Sequence, residues 1–282
     1  MNLSVVAGAA VATAVLTGAL IVGDSVRGSL RSLVLDRLGG VDVAAAGERH
    51  LPVDLVERLE RDSNALGGAL RFAPAISLRA AAVHSDSRAR ASGVTLWGVD
   101  ERFSELFGER PALELGRRPG QTFPSLAINR ALARELGAEV GDAVLLSFAS
   151  HSEIPRESLL GSSDPDDLID RARFEVVAIV PDRGLGSFGL RPHQGQPLNA
   201  FADLERVGRA MGAPGSLNVV LAGAAEAGEP VGGLAGLENA MSAALGPEDV
   251  GLRLNAGPGH LAIDSDEFVL RGPLAAAVDR VA

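Results

Sequence analysis

The sequence has no cysteine and no lysine, and its charge is strongly acidic. Without cysteine there is neither a disulfide framework nor a thiolate metal site, and the redox compartment stays open. All 26 basic residues are arginine, a compositional bias that carries no information about a site. The formal net charge of −10 argues against nucleic acid as a partner, because phosphate binding needs a basic face. The 282 residues suffice for one large or two small domains with real cores.

Common catalytic and metal-binding motifs are also missing from the sequence. The five histidines form no H-E-x-x-H motif and no i,i+4 pair that would place two imidazoles on one metal. These histidines are His50, His84, His151, His193 and His260. There is no G-x-S-x-G elbow for a hydrolase serine. Two acidic stretches lack the glycine and terminal glutamate of a calcium loop, and we interpret them as solvated surface. Their aspartates are Asp164, Asp166, Asp167, Asp264 and Asp266. We therefore predict no catalytic residue, no cofactor-binding residue and no metal ligand.

One glycine-rich stretch does match a cofactor-binding pattern. Gly184, Gly186 and Gly189 form G-x-G-x-x-G directly after the apolar run FEVVAIV. Asp203 and Glu205 follow at roughly the distance of a ribose-binding acid. A dinucleotide loop must open a helix, but the next residues, LRPHQGQP, contain two prolines and a glycine that forbid one. We interpret the stretch as a glycine-rich loop, and a nucleotide-dependent oxidoreductase stays as an alternative function.

The first part of the chain is a long apolar run. Residues 1–23 carry no charged side chain and would span about 34 Å as a helix, enough to cross a hydrocarbon core. Small residues recur at four-residue spacing, Gly8 with Ala12 and Ala14 with Gly18, which lets another helix approach closely. The run has no basic lead-in and no small-x-small cleavage site, and it exceeds the usual apolar region of a signal peptide. We predict an uncleaved membrane helix, with a cleaved signal peptide as the alternative.

The helix is predicted to continue beyond the membrane as a stalk. An apolar stripe follows the span at helical spacing. The stripe consists of Val26, Leu30, Leu33, Val34 and Leu38. Gly39 and Gly40 then end the pattern. Arg27 and Arg31 lie one turn apart just beyond the lipid, where interfacial anchoring explains them. We expect one continuous transmembrane and stalk helix over residues 1–38.

After the stalk, short strands alternate with amphipathic helices, which predicts an α+β (mixed α/β) body. The predicted strands are residues 41–46, 75–83, 94–99, 144–148, 174–180, 217–221, 250–254 and 267–270, with 75–83 and 94–99 paired as a hairpin. The predicted helices are residues 52–61 and 234–245, and strands running into helices are predicted at 126–136 and 200–211. Residues 150–173 read as a polar loop, and 174–180 as the most buried strand.

A family resemblance appears in the run INRALARELGAEVGDAVLL, residues 128–146. It resembles the helix, LG, VGD and strand stretch in the extracytoplasmic core domain of FtsX/MacB-like ABC transporter permeases. Gly137 would cap the helix, and Gly141 and Asp142 would turn the chain into the strand. The segments FEVVAIV, PLNAFADLE and NVVL strengthen the resemblance, as does the apolar span running into DSVRGSLR. It covers most of the chain, to about Leu270.

The resemblance implies a permease subunit of the cytoplasmic (inner) membrane, whose first helix is followed by a large periplasmic or extracellular domain and then by three more membrane helices. The implied outer domain has two parts with a β-rich insert. The expected parts are the transmembrane and stalk helix (1–38), the first part of the core domain (39–125), the smaller inserted subdomain (126–197), the second part of the core domain (198–272) and the start of a return stalk (273–282).

The resemblance also implies a function without chemistry or cofactor. A permease of this kind couples ATP hydrolysis by an ABC-type ATPase to export of a lipid, peptide or drug, or to work on a cell-envelope partner. It implies a second permease copy in a dimer, contacts with other envelope proteins, and lipid contact through residues 1–23. The chain ends before a second span, so we expect a fragment or a member reduced to its outer domain. An anchored or secreted binding module of the same fold is the alternative.

Overall fold

The protein is an α+β chain in which one long helix precedes an eight-stranded sheet. The computed structural model describes residues 3–65, 70–108, 113–116, 118, 120–149, 169–191, 195–224, 233–257 and 260–265. The helices are α1 (Leu3–Leu38), α2 (Leu55–Ala65), α3 (Glu101–Leu106), α4 (Arg130–Leu136), α5 (Leu204–Ala210) and α6 (Gly233–Ala244). The strands are β1 (Val43–Pro52), β2 (Leu70–His84), β3 (Arg90–Val99), β4 (Ser125–Asn129), β5 (Ala143–Ala149), β6 (Ile169–Val180), β7 (Asn199–Asp203), β8 (Ser216–Ala224), β9 (Leu252–Gly257) and β10 (His260–Ser265). Short 3-10 turns lie at Gly184–Ser187, the glycine turn below, and at Glu248–Val250.

Helix α1 is unbroken over 36 residues, which confirms the predicted continuous helix. At 1.5 Å per residue it is about 54 Å long. Val6–Leu38 is long and apolar enough to cross a membrane, and the side chains of its apolar window are not buried in the protein. The helix ends at Gly39, whose φ of 59° lies in the left-handed region, so the predicted glycine stop is confirmed.

The sheet closes on itself through its longest strand. Its order is β1-β8-β2-β3-β7-β4-β6-β5, and β5 also pairs with β2. Six strands, β2, β3, β7, β4, β6 and β5, therefore form a closed ring, which we call the barrel. Strand β2 belongs both to the barrel and to the end of the sheet formed by β1 and β8. Its first half pairs with β8, and its last five residues pair with β5. The pairs β3/β7 and β4/β6 are parallel, and the others are antiparallel.

In the described part of the chain, three apolar clusters make up the core. The first draws side chains from all six barrel strands together with α4 and α5. Its largest fully buried members, each contributing about 1.5–3 kcal/mol by burial, are Phe174, Ile76, Leu96, Leu126, Ile128 and Leu132. The second cluster is rich in aromatic side chains and lies against α3 and the glycine turn. The third packs α2 and α6 against β1 and β8.

Most predicted strands and helices are present, but the N-terminal half needs two corrections. The helix predicted at 52–61 begins only at Leu55, because Pro52 is the last residue of β1 and pairs with Ser216. A strand end tolerates proline as a helix start does, so the sequence could not separate the two. Helix α3 was not predicted; its visible signal is Asp100, whose side chain caps the helix by accepting from the N–H of Arg102.

Two further corrections concern β6 and the C-terminal strands. Strand β6 begins at Ile169, five residues before the predicted start, and much of it is only half-buried, whereas every residue of β4 is buried. The rest of the predicted loop, 150–168, lies outside the described residues. The strand predicted at 250–254 begins at Leu252 because a 3-10 turn precedes it. Its partner is β10, and the strand predicted at 267–270 lies outside the described residues.

The predicted insert, residues 126–197, contains most of β4 and all of β5 and β6. These strands supply half of the barrel and pair with β7 and β2 outside the predicted boundaries. Hydrogen bonding is thus continuous from the insert into the rest of the domain. The division at residues 126 and 197 stays a prediction.

Candidate coupling site at the base of the stalk helix

Helix α1 meets the folded domain at a tight junction formed by two glycines. The N–H of Gly39 donates to Leu35 O over 3.0 Å and closes the last helical turn. The N–H of Gly40 donates to Leu106 O over 2.7 Å, which joins the chain after α1 to the end of α3. Leu38 packs against the aromatic cluster. The end of the stalk is therefore hydrogen-bonded and packed against the domain.

Only glycine fits at this junction. A Cβ atom on Gly40 would lie 2.3 Å from Leu106 O, and one on Gly39 would lie 2.3 Å from the Phe107 ring. A Cβ on Gly223, in β8, would lie 1.9 Å from Gly40 O. All three distances are far below van der Waals contact, and the clashes at Gly40 and Gly223 are with main-chain oxygens. The end of the stalk is therefore in close main-chain contact with both α3 and β8.

Beneath the junction lies a group of five aromatic rings. They are Trp97, Phe103, Phe107, Phe188 and Phe201. Phe188 is central, with ring centroids 4.8 Å from Trp97, 5.2 Å from Phe103 and 5.4 Å from Phe107. Tilted and edge-on contacts of this kind contribute about 0.5–1.5 kcal/mol each beyond burial. Trp97 is the only tryptophan in the chain, so its fluorescence reports on this cluster.

The G-x-G-x-x-G stretch forms the glycine turn, and α1 contacts it. The Asp36 carboxylate on α1 accepts from the N–H of Gly184 over 3.4 Å. A Cβ on Gly186 would lie 1.8 Å from Pro181 O, so glycine is needed there for close packing. The stretch makes one 3-10 turn and does not open an α-helix, as the sequence analysis predicted.

The two acids that follow the glycine stretch belong to α5. Asp203 is its N-cap and accepts from the N–H of Arg206 over 3.0 Å. Glu205 forms an i,i+4 ion pair with Arg209 at 2.9 Å on the exposed surface. Their positions are accounted for by helix capping and surface charge pairing.

Two buried asparagines hold the glycine turn. The side-chain amide of Asn129 donates to Gly186 O over 3.0 Å and to Pro197 O over 2.6 Å. Its carbonyl oxygen accepts from the N–H of Leu132, which caps α4, and from the N–H of Asn199, each over 3.1 Å. The amide of Asn199 in turn donates to Gly186 O over 3.2 Å and to Phe188 O over 2.8 Å. The turn, β4, α4 and β7 are thereby tied together.

His84 and Asp142 form a second polar pair, at a junction of two loops. The Nδ1 atom of His84 accepts from the N–H groups of Asp86 (3.1 Å) and Ser87 (3.2 Å), so Nε2 carries the proton and donates to Asp142 over 3.1 Å. The N–H of Glu139 and the His84 imidazole both donate to the Asp142 carboxylate and hold its pKa below the ordinary value. The aspartate of the VGD motif thus joins the β2–β3 hairpin to the turn before β5.

The remaining residues singled out in the sequence lie on α1, β1 or β10, or outside the described residues. Arg27 and Arg31 are exposed on α1. His50 lies in β1, and His260 and Asp264 lie in β10. Residues outside the described part of the chain are His151, Asp164, Asp166, Asp167, His193 and Asp266. Within the described ranges, no three His, Asp or Glu side chains are placed to share a metal ion.

Sequence reasoning missed the roles of Asn129, Asn199 and the phenylalanines at the junction. Asn129 entered the sequence analysis only as the second residue of the run INRALARELGAEVGDAVLL. A usable signal exists, since both asparagines adjoin apolar strand residues, in SLAIN and LNAF, where a polar side chain needs buried partners.

No family model matches this chain, and no curated protein matches it. Among solved structures it is similar to the periplasmic region of MacB from Actinobacillus actinomycetemcomitans, with 11% identity, a TM-score of 0.44, and coverage of 88% of this chain and 96% of that one. It is also similar to the extracellular domain of the noncanonic ABC-type transporter YknZ from Gram-positive bacteria, with 10% identity, a TM-score of 0.34, and coverage of 64% and 76%. A domain of a protein described as a permease, from Porphyromonas gingivalis, has 13% identity, a TM-score of 0.40, and coverage of 87% and 98%.

Proposed function

We propose that this chain is the first membrane helix and outer domain of an FtsX/MacB-like ABC transporter permease. In this function the chain does no chemistry and passes ATPase-driven movement to its outer domain, for export or for work on the cell envelope. The observation that carries the proposal is that α1 runs without a break from the apolar span to the glycine junction. An unbroken helix joined to a folded domain can transmit displacement, whereas a flexible linker cannot.

The geometry of α1 favours a rigid helix that transmits movement, which we call a lever, over a passive tether. Its stalk section, residues 24–38, is about 22 Å long. No proline interrupts this section, and a Cβ atom added at its one glycine, Gly28, would have no neighbouring atom within 4 Å. At its end, Gly40 bonds to α3 and Asp36 contacts the glycine turn. Tilting of the helix in the membrane would therefore move α3 and the turn with it.

The proposed function defines the partners of the chain. An ABC-type ATPase on the cytoplasmic side would supply the driving force, and a second permease copy would complete a dimer in the inner membrane. The small residues of α1 support contact with other membrane helices, because Gly8, Ala12, Ala14 and Gly18 are exposed along it. The domain that follows α1 would lie outside the membrane and contact envelope partners.

Ser29→Pro tests the lever. Ser29 is exposed on α1, so its replacement leaves the packing of the outer domain intact. Proline removes one backbone hydrogen bond and clashes with the preceding turn, at a cost of about 3 kcal/mol or more in helix stability. In a complete permease carrying this segment, we expect Ser29→Pro to keep its folded outer domain and membrane insertion and to lose transport-coupled ATPase stimulation. Ser29→Ala is the matched control and should keep it.

Unchanged ATPase stimulation in a variant whose helix is shown to be kinked would make α1 a passive tether and contradict the proposal.

The alternative function, a binding module of the same fold, differs first in its anchor. The full chain should sediment with membranes, resist carbonate extraction and keep the residues before Gly23 in its intact mass. A soluble product beginning near Asp24 would favour a secreted module instead.

A further inference from the structure

The proposed function leaves open how movement passes from the stalk into the barrel. We propose that the glycine turn is the relay, and that Asn129 and Asn199 are positioning residues that make it move with the barrel. This inference rests on the proposed function of α1 as a lever. It gives the G-x-G-x-x-G stretch a mechanical role in place of a nucleotide-binding one.

The first step is the contact between stalk and turn. Asp36 lies in the last turn of α1, where a negative charge is unfavourable because the helix dipole places partial negative charge at that end. Its carboxylate accepts from the N–H of Gly184, the first residue of the turn. The Gly184 N–H therefore compensates a charge that the helix alone would not favour. This hydrogen bond links the side of the stalk to the turn, separately from the main-chain junction at Gly40.

The second step is the connection from the turn into the barrel. The carbonyl of Gly186 accepts from both asparagine side chains, Asn129 at 3.0 Å and Asn199 at 3.2 Å. Asn129 ends β4 and caps α4, while Asn199 begins β7. Strands β4 and β7 are neighbours in the barrel, and α4 contacts β2, β3, β4, β6 and β7. A shift of Gly186 therefore pulls on two adjacent strands and on the helix that packs across the barrel.

The third step is that this connection is buried and closely packed. Asn129 is 0% exposed and Asn199 is 1% exposed, so water does not compete for their amide hydrogens. Gly186 also lies directly against Pro181 O, which leaves no space for the turn to move relative to the end of β6. Phe188, whose carbonyl accepts from Asn199, carries the same displacement to Trp97 and Phe107. The turn and the barrel should respond as one body.

Asn199→Ala is the sharpest single perturbation. Among the described residues, the side-chain oxygen of Asn199 has no hydrogen-bond partner, so truncation removes the two bonds that its amide donates to the turn. Asn218→Ala is the matched control. Asn218 likewise makes two bonds through its side chain, to the N–H (2.8 Å) and the carbonyl (3.1 Å) of Ser77, but it lies in β8 away from the turn.

The measurement is the distance between spin labels on the stalk and on the barrel, in the full chain in lipid nanodiscs. The chain has no cysteine, so Ser29→Cys on the exposed stalk and Glu135→Cys on the exposed face of α4 give unique labels. Wild type should give one narrow distance distribution. Asn199→Ala should widen it at least twofold, while Asn218→Ala should leave the width unchanged. Circular dichroism and Trp97 emission establish that each variant is folded.

Asp36→Ala provides a second variant, which leaves the buried core of the domain unchanged because Asp36 is exposed on α1. It should also widen the distribution, and the double variant Asp36→Ala/Asn199→Ala should be no wider than the wider single variant, because both act on one connection. If Asn199→Ala does not fold, the width of the distance distribution in Asp36→Ala alone tests the relay. Wild-type width in the folded variants, or equal widening by Asn218→Ala, would overturn the relay.

This outcome is separable from that of the proposed function. The distances are measured without an ATPase, so a narrow distribution in every variant would refute the relay and leave the lever intact through the Gly40 junction. Failure of the proposed function would instead be seen as normal ATPase coupling in the Ser29→Pro variant.

Discussion

Gly40→Ala should weaken the attachment of the stalk to the domain more than any exposed substitution in α1. The new Cβ would lie 2.3 Å from Leu106 O, which is a main-chain atom and cannot rotate away. Reaching ordinary contact requires a backbone shift of about 1 Å, and overpacking of this kind costs about 1–3 kcal/mol. The shift also strains the Gly40 N–H to Leu106 O hydrogen bond, whose loss costs about 0.5–1.5 kcal/mol. We expect a total destabilisation of about 2–4 kcal/mol.

Thermal unfolding followed by Trp97 fluorescence measures this effect, because Trp97 lies in the aromatic cluster under the junction. For a domain of this size, 1 kcal/mol corresponds to about 2–4 °C, so Tm should fall by roughly 4–16 °C. Gly28→Ala is the matched control. A Cβ at Gly28 meets no atom within 4 Å, and alanine favours the helix over glycine by about 1 kcal/mol. Gly28→Ala should therefore leave Tm unchanged or raise it.

A Gly40→Ala variant with wild-type Tm would refute this reasoning. It would mean that the stalk end and α3 can separate without cost, so that the close approach at the junction contributes nothing to the fold. A fall in Tm that Gly28→Ala matched would point equally against the junction, because the effect would then belong to glycine replacement in general.

Two further predictions concern polar sites. The pKa of Asp142 is held below its ordinary value in the folded state, so the carboxylate stabilises the fold above its unfolded pKa of about 3.9, and that contribution is lost as pH falls through the lower folded pKa. In urea unfolding below about pH 4, the free energy of unfolding should fall more steeply with decreasing pH for wild type than for Asp142→Asn. Identical slopes would mean that the hydrogen bonds from His84 and Glu139 to Asp142 do not cause the acid loss of stability. For the G-x-G-x-x-G stretch, calorimetric titration with NAD, NADP, FAD or ATP should detect no binding at millimolar concentration. A micromolar Kd for any of them would revive the oxidoreductase alternative, and Gly186→Ala would then be needed to locate the ligand.

Local patterns in the sequence determined the elements whose signals lie within one segment. The uncharged run and the apolar stripe after it predicted α1, and Gly39 and Gly40 predicted its end, because helix periodicity and glycine stops are short-range features. The hairpin of β2 and β3 and the strand leading into α4 followed from the same kind of pattern. Pro52 was misassigned because proline is equally acceptable at a strand end and at a helix start.

The tertiary structure alone decided how those elements become a candidate coupling site. Closure of the barrel depends on β5 reaching β2 about sixty positions earlier in the chain, and no local pattern encodes that pairing. Asn129 bonds to groups 57, 68 and 70 positions away, so its hydrogen-bond network exists only once β4, the glycine turn and the start of β7 have met. The glycine stretch carried a nucleotide-binding signature in the sequence. Its contact with Asp36, 148 positions earlier, is what relates it to the stalk, because hydrogen bonding across the fold depends on distance in space and not on spacing in the sequence.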